Sequence, residues 1–263
     1  MFKAVIKFQE IEPLERGSFD GRIDVVDSLG PLFDEAVAYL KSQKVIGFDT
    51  ESRPVFTHDR PSYGTALLQL AGPDRAFLFR TKYIGVPPAL RSILADPEIL
   101  KIGAAIQDDN IGLQKYGDFV PAGFVDLQKI VGQWGIYDKS VKKMAAIILG
   151  VRISKSQQLS NWEAEYLSPA QKQYAATDAW ICLMMYQKLV STEKHPLSPE
   201  QISELSGIPL ERVLHPRVKR SPAPQAPPKY PPGTSKSAKR RARRKMKKLK
   251  STAANDKSDI EKG

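Results

Sequence analysis

Five side chains dispersed over half the chain are of types that can work together in catalysis. Asp49 and Glu51 lie two apart in Gly47-Phe48-Asp49-Thr50-Glu51-Ser52, Asp109 follows Gly103-Ala104-Ala105-Ile106-Gln107-Asp108, and Tyr174 and Asp178 lie four apart in Tyr174-Ala175-Ala176-Thr177-Asp178. Hard divalent cations prefer anionic oxygen, and phosphodiester hydrolysis employs two of them about 3.5–4 Å apart. An all-oxygen set without clustered histidine or cysteine selects magnesium or manganese over zinc. Four carboxylates gathered in one place repel one another, so a metal-free site should cost stability and bound cations should restore it.

Each group also has an ordinary explanation. Asp49 and Glu51 read as a charged strand end. Tyr174 and Asp178 read as a surface pair on a helix that packs through Ala175, Ala179, Cys182, Leu183 and Tyr186. Asp109 reads as a first-turn acid set against a helix dipole, a place adjacent Asp108 can also take. Taken singly these readings prevail; the information is in the conjunction.

The elements that must position these groups are legible from periodicity. Ile23–Val26 reads as a short strand, Pro31–Leu40 as a helix and Val45–Thr50 as a buried strand from which Asp49 and Glu51 point the same way. Ala66–Ala71 and Ala76–Phe79 flank the turn signal Gly72-Pro73-Asp74-Arg75 and read as a hairpin. Ile99–Ala104 is a further strand, followed by a helix over Asp109–Tyr116 and a short strand at Phe124–Val125. From Leu127 to Val190 the pattern is helical. Its last helix starts at Ser168-Pro169-Ala170-Gln171, an N-cap serine, an N1 proline and a capping-box glutamine. Strands alternating with helices argue an α/β fold.

Charge divides the chain. Residues 1–194 carry 23 Lys+Arg and 23 Asp+Glu, whereas residues 195–263 carry 17 and 6, the whole net charge of +11. A single cysteine, Cys182, excludes an intramolecular disulfide framework and a cysteine-based zinc site, and suits a reducing compartment. No stretch approaches the roughly 18 apolar residues of a spanning helix, and no signal peptide is visible, so no membrane partner is expected.

The acids and their surroundings resemble the DEDD superfamily of 3′-5′ exonucleases, in the tyrosine-bearing branch that includes ribonuclease D and the Werner syndrome exonuclease domain. Ser160-Asn161-Trp162, Leu167-Ser168, Gln171 and Tyr174-Ala175-Ala176-Thr177-Asp178-Ala179 match the third-motif region of that family, and the likeness runs from about Val45 to Lys188. The resemblance implies a ribonuclease H-like mixed sheet flanked by helices and two divalent cations, Mg2+ or Mn2+. It implies hydrolysis from the free 3′ end of DNA or RNA, releasing nucleoside 5′-monophosphates. Asp49 would bridge both cations, Glu51 and Asp178 would complete the shell of the water-activating one, and Asp109 would hold the other through water. Tyr174 would orient the attacking water. Asp108 stands where the family commonly has a small residue; alignment favours Asp109 for the metal role, with an exchange between the two as the alternative. Ribonuclease D carries helical accessory domains for which this chain has little room, so its substrate choice does not carry over.

Lys155, in Ile153-Ser154-Lys155-Ser156, is similar to a basic residue of relatives and is a candidate phosphate contact; a solvated loop lysine is the other reading. Trp162 is read as partly buried support for the last helix, with base stacking as the alternative. The expected organisation is an N-terminal extension (1–21), the exonuclease domain (22–194), a short helical segment (195–216) and a disordered Pro/Lys/Arg-rich tail (217–263). Between Arg217 and Lys250 there are 14 basic residues and no acidic one, a segment with too little apolar area to order itself. Its cluster, with Arg240, Arg241, Arg243 and Arg244, is a candidate nucleic-acid contact insensitive to base sequence. The rival function is a catalytically silent nucleic-acid-binding protein tethered through this tail. The expected location is cytoplasmic, of bacterial type, or nuclear in a eukaryote.

Overall fold

The computed structural model describes residues 1–52, 64–154 and 156–215. Lys155 and the basic tail with Arg240, Arg241, Arg243 and Arg244 lie outside the described residues.

The elements run α1 (Phe8–Ile11), β1 (Arg22–Val26), α2 (Pro31–Ser42), β2 (Val45–Ser52), β3 (Thr65–Ala71) and β4 (Arg75–Phe79). They continue through α3 (Thr81–Ile84), α4 (Pro88–Leu94), β5 (Leu100–Gly103), α5 (Gln107–Gln114), β6 (Phe124–Asp126) and α6 (Leu127–Ile130). After a 3-10 turn come α7 (Val141–Leu149), α8 (Pro169–Val190), α9 (Pro199–Ser206) and α10 (Leu210–Leu214). The strands form one six-stranded mixed sheet in the order β1-β4-β3-β2-β5-β6. β3 is antiparallel to both β2 and β4, and the other pairs are parallel. This is the α/β architecture that the alternation of patterns predicts.

The helices cover both faces. On one face Phe33, Ala36 and Leu40 of α2, spaced by three and four residues, meet Leu90, Ile93 and Leu94 of α4 over Ile46, Phe48, Leu68, Leu70, Phe77 and Phe79. On the other face lies α8, with Ala175, Ala176 and Ala179 against Leu67, Ala71, Ala76 and Leu78. Small residues let this helix come close. Gly47 of β2 completes the fit, because a Cβ there would stand 2.0 Å from the Ala179 carbonyl oxygen.

α8 begins as its sequence dictates. The Ser168 hydroxyl accepts from Gln171 N at 3.2 Å and Ser168 N donates to Gln171 Oε1 at 3.0 Å. Beyond it, Ser198 and Gln201 form a second capping box at α9, so residues 195–215 hold two short helices rather than one.

Two features go beyond the sequence pattern. Thr81–Leu94 folds into α3 and α4, short helices separated by Pro87 and too brief for periodicity to declare. Residues 1–21 pack as a strap. Ile6 and Ile11 bury against Ala146, Gly17 N donates to Arg152 O at 2.9 Å, and Phe19 N donates to Thr177 Oγ1 at 3.1 Å.

Candidate active site

β2 carries the first pair of acids. Gly47, Asp49 and Glu51 share its α8 face by the two-residue repeat, while Ile46, Phe48 and Thr50 point the other way. α8 crosses above and brings Asp178 down beside them. Carboxylate oxygens of Asp49, Glu51 and Asp178 all lie within 4.8 Å of one another, close enough to hold one cation in common. An all-oxygen donor set of this kind fits a hard divalent cation.

Electrostatics shows what this crowding costs. Burial, then the charges of Asp178, Glu51 and Asp109, holds the Asp49 carboxyl well above the usual carboxylate range. Burial and then Asp178 and Asp109 push Glu51 up to about 9. Like charges in a low-dielectric setting disfavour ionisation in this way, and a cation reverses the preference.

Tyr174 lies one helical turn before Asp178 on the same face of α8. Burial, the surrounding carboxylates and a hydrogen bond to Asp178 raise its phenol pKa, so the ring keeps its proton. The ring is braced by Trp162, whose centroid is 5.9 Å away. Trp162 is 0 % exposed, which corrects the reading of it as partly buried and removes base stacking as its role. The loop that holds it is tied down from the junction of β4 and α3. Arg80 donates to the carbonyls of Ala164 and Glu165, and Lys82 donates to Glu163 O at 3.0 Å.

Asp109 stands apart from the other acids. It sits in the first turn of α5 and accepts a hydrogen bond from the Thr50 hydroxyl, which projects from the face of β2 opposite Asp49 and Glu51. Burial pushes its carboxyl up to about 6, with Thr50 opposing the shift and Asp108 and Asp126 adding to it. Asp108 is exposed, so the acid turned inward toward β2 is Asp109. The turn before α5 is held by Asp126. Its carboxylate accepts from Ala105 N at 3.1 Å, where Ala105 takes the left-handed φ of +60°, and from Gln128 N at 3.0 Å.

Sequence reasoning missed several neighbours of the site. Thr50 lies between Asp49 and Glu51 in the sequence, and only the fold pairs it with Asp109. Gln69 of β3 faces Asp49 across the antiparallel register. A cavity of about 120 Å³ opens beside Tyr174 and Asp178, walled by Arg16 and Ser18 of the strap and by Ser154 and Ser156. The one available signal was the polar Gln69 within the otherwise apolar run Ala66–Ala71.

Comparison with known proteins gives this geometry a family. The family model for 3′-5′ exonuclease matches residues 31–192. Exonuclease 3′-5′ domain-containing protein 2 of Drosophila melanogaster is 34% identical over 178 residues, which cover 64% of this chain and 30% of that protein. Ribonuclease D of Gluconacetobacter diazotrophicus is 34% identical over 158 residues, covering 59% of this chain and 39% of its own length. The chain thus spans well under half of these curated relatives. Among solved structures, Trypanosoma brucei RNase D in complex with RNA U12 superposes with a TM-score of 0.59 at 21% identity, over 80% of this chain and 76% of that one. That likeness establishes a shared nuclease fold. With the model spanning most of the chain and both ends of the acidic constellation, the protein belongs to the 3′-5′ exonuclease family.

Proposed function

We propose that this protein is a divalent-metal-dependent hydrolase that shortens nucleic acid from a free 3′ end, releasing nucleoside 5′-monophosphates. The observation that carries the reading is the convergence of Asp49, Glu51 and Asp178 within 4.8 Å, with the Tyr174 phenol on the adjoining helical turn. Which polymer is preferred, RNA or DNA, is decided by the comparison below.

Asp49, Glu51 and Asp178 would hold one cation, and Asp109, whose charge is felt at Asp49 and Glu51, would help hold a second through water. Bound there, Mg2+ or Mn2+ would supply charge neutralisation at the phosphate and lower the pKa of a bound water. The chain's own residues do the positioning. Tyr174, kept as a neutral phenol with its hydroxyl held by Asp178, would orient a water beside the scissile phosphate through its oxygen. Trp162 and the Arg80-braced loop fix the ring that makes it. Arg16, Ser18, Ser154 and Ser156 supply a cation and hydroxyls along the approach to Asp178.

A time course on matched 5′-labelled single-stranded RNA and DNA tests the reading, with Mg2+, Mn2+ or chelator, wild type beside Asp49→Ala. The expected result is a metal-dependent ladder shortening from the 3′ end, absent in the variant. Tight binding with no shortening in any metal would overturn it in favour of a binding protein on a nuclease fold.

A further inference from the structure

Gln69 lies in the middle of β3, fully buried, and neither Oε1 nor Nε2 of its amide has a hydrogen-bond partner among the described residues. Apart from Asp49, its surroundings on that face are apolar. On its face of the sheet stand Leu67 and Ala71 along the strand and Leu78 on β4, roofed by Ala175, Ala176 and Ala179 of α8. A leucine would match these neighbours, whereas an unpaired buried amide loses its bonds to water without replacing them.

What distinguishes the position is its register. Gln69 pairs directly with Asp49 across β2 and β3, and side chains opposed in an antiparallel pair emerge on one face with Cβ atoms about 4.5–5.5 Å apart. The amide therefore stands beside the carboxylate that the metal centre turns on, and it is long enough to reach it.

Resting on the metal-site reading above, we infer that Gln69 is a positioning residue for that centre. In the cation-loaded protein Nε2 donates to one oxygen of Asp49 and fixes the rotamer in which the other oxygen meets the cation. Groups that orient a ligating carboxylate in this way are a regular part of metal sites, and their loss typically weakens metal binding by 10- to 100-fold.

The test is to compare full-length wild type, Gln69→Leu and Asp49→Ala by Mn2+ calorimetry and by thermal melting with Mn2+ or chelator. Gln69→Leu should bind Mn2+ about tenfold or more weakly. In chelator it should melt no lower than wild type, because an orphaned amide has been replaced by a side chain that suits its neighbours. A residue that only packs gives the reverse, a lower melting point in chelator with Mn2+ affinity intact, and that result would overturn the inference. If Gln69→Leu fails to fold, Gln69→Met carries the same comparison with a longer, flexible side chain. The two readings fail differently. Wild type that takes up no Mn2+, or Asp49→Ala that takes it up normally, sinks the metal centre itself. Equal Mn2+ affinity in wild type and Gln69→Leu, with Asp49→Ala impaired, sinks the role of Gln69 alone.

Discussion

The two faces of β2 are made by alternate residues of one strand, yet they do opposite things. Ile46 and Phe48 enter a cluster with Leu68, Leu70, Phe77 and Phe79, and Phe48 sets its ring edge-on to Phe124 at 5.1 Å. Gly47, Asp49 and Glu51 turn to the underside of α8, where carboxylates crowd and the facing Gln69 amide lacks partners. One face stabilises the fold by burying apolar surface. The other gives up stability to hold charges that become favourable once a cation arrives. The pleat keeps the two apart, so the acids can be crowded without opening the core.

The sharpest way to break that contrast is to truncate neighbours in sequence that lie on opposite faces. Phe48→Ala should lower unfolding free energy in chelator by about 3–5 kcal/mol. Asp49→Ala should abolish turnover and, in chelator, leave stability unchanged or raised, since it removes one of the repelling groups. Urea titration of both variants decides. A loss for Asp49→Ala as large as that for Phe48→Ala would make Asp49 a packing residue. Next in size, Tyr174→Phe keeps the ring against Trp162 and deletes only the hydroxyl. Its turnover should fall on the order of 10²–10⁴-fold, the range for positioned proton-transfer groups, with an unchanged melting point. An unchanged rate would assign Tyr174 to the structural side of the comparison.

How much of this was legible follows the same division. Local signals read well: the spacing of two that puts Asp49 and Glu51 on one face, the spacing of four that joins Tyr174 to Asp178, and the Ser168–Gln171 cap that fixes where their helix starts. Contacts between distant segments left no trace in a local pattern. Nothing around Thr50 announces its bond to Asp109, 59 residues on. The strap residues Gly17 and Phe19 meet Arg152 and Thr177 only after folding. Arg80 and Lys82 gave no hint that they would bind carbonyls more than 80 residues later. The likeness to the family favoured Asp109 over Asp108, but spacing alone did not decide between them, because which one turns inward depends on where α5 begins. The left-handed Ala105 and the Asp126 carboxylate set that start.

Gly47 tests whether the two faces are independent. It carries neither charge nor side chain, yet it sets how closely α8 lies on β2. Gly47→Ala forces a Cβ against the Ala179 carbonyl, where 2.0 Å is available. Overpacking of this kind costs about 1–3 kcal/mol. Since Tyr174 and Asp178 ride on the displaced helix, activity should fall as well, by about 10²-fold for a shift near 1 Å. A variant destabilised to this extent but fully active would show that the site tolerates movement of α8, and Asp178 would then be held by something other than the packing beneath it.

The gentlest probe is pH in the absence of metal. Glu51 has its folded pKa raised from 4.5 to about 9 and Asp109 from 3.8 to about 6, with Asp49 raised as well, in each case chiefly through burial. Across these windows the folded protein keeps protons that the unfolded chain has released. Stability in chelator is therefore full at low pH and falls as pH rises from about 4 towards 9, by at most about 1.4 kcal/mol per pH unit for each group. Asp109 contributes only to the lower part of that range. Saturating Mg2+ should flatten the slope, because carboxylates that ligate a cation are ionised in the folded state too. The two faces of β2 separate once more: Phe48→Ala should shift the stability curve downward with its slope retained, while Asp49→Ala should flatten it in chelator. A chelated wild type that gains stability between pH 5 and 9 would mean the carboxylates are held by cationic partners, and the account of the α8 face as a store of repulsion would fall.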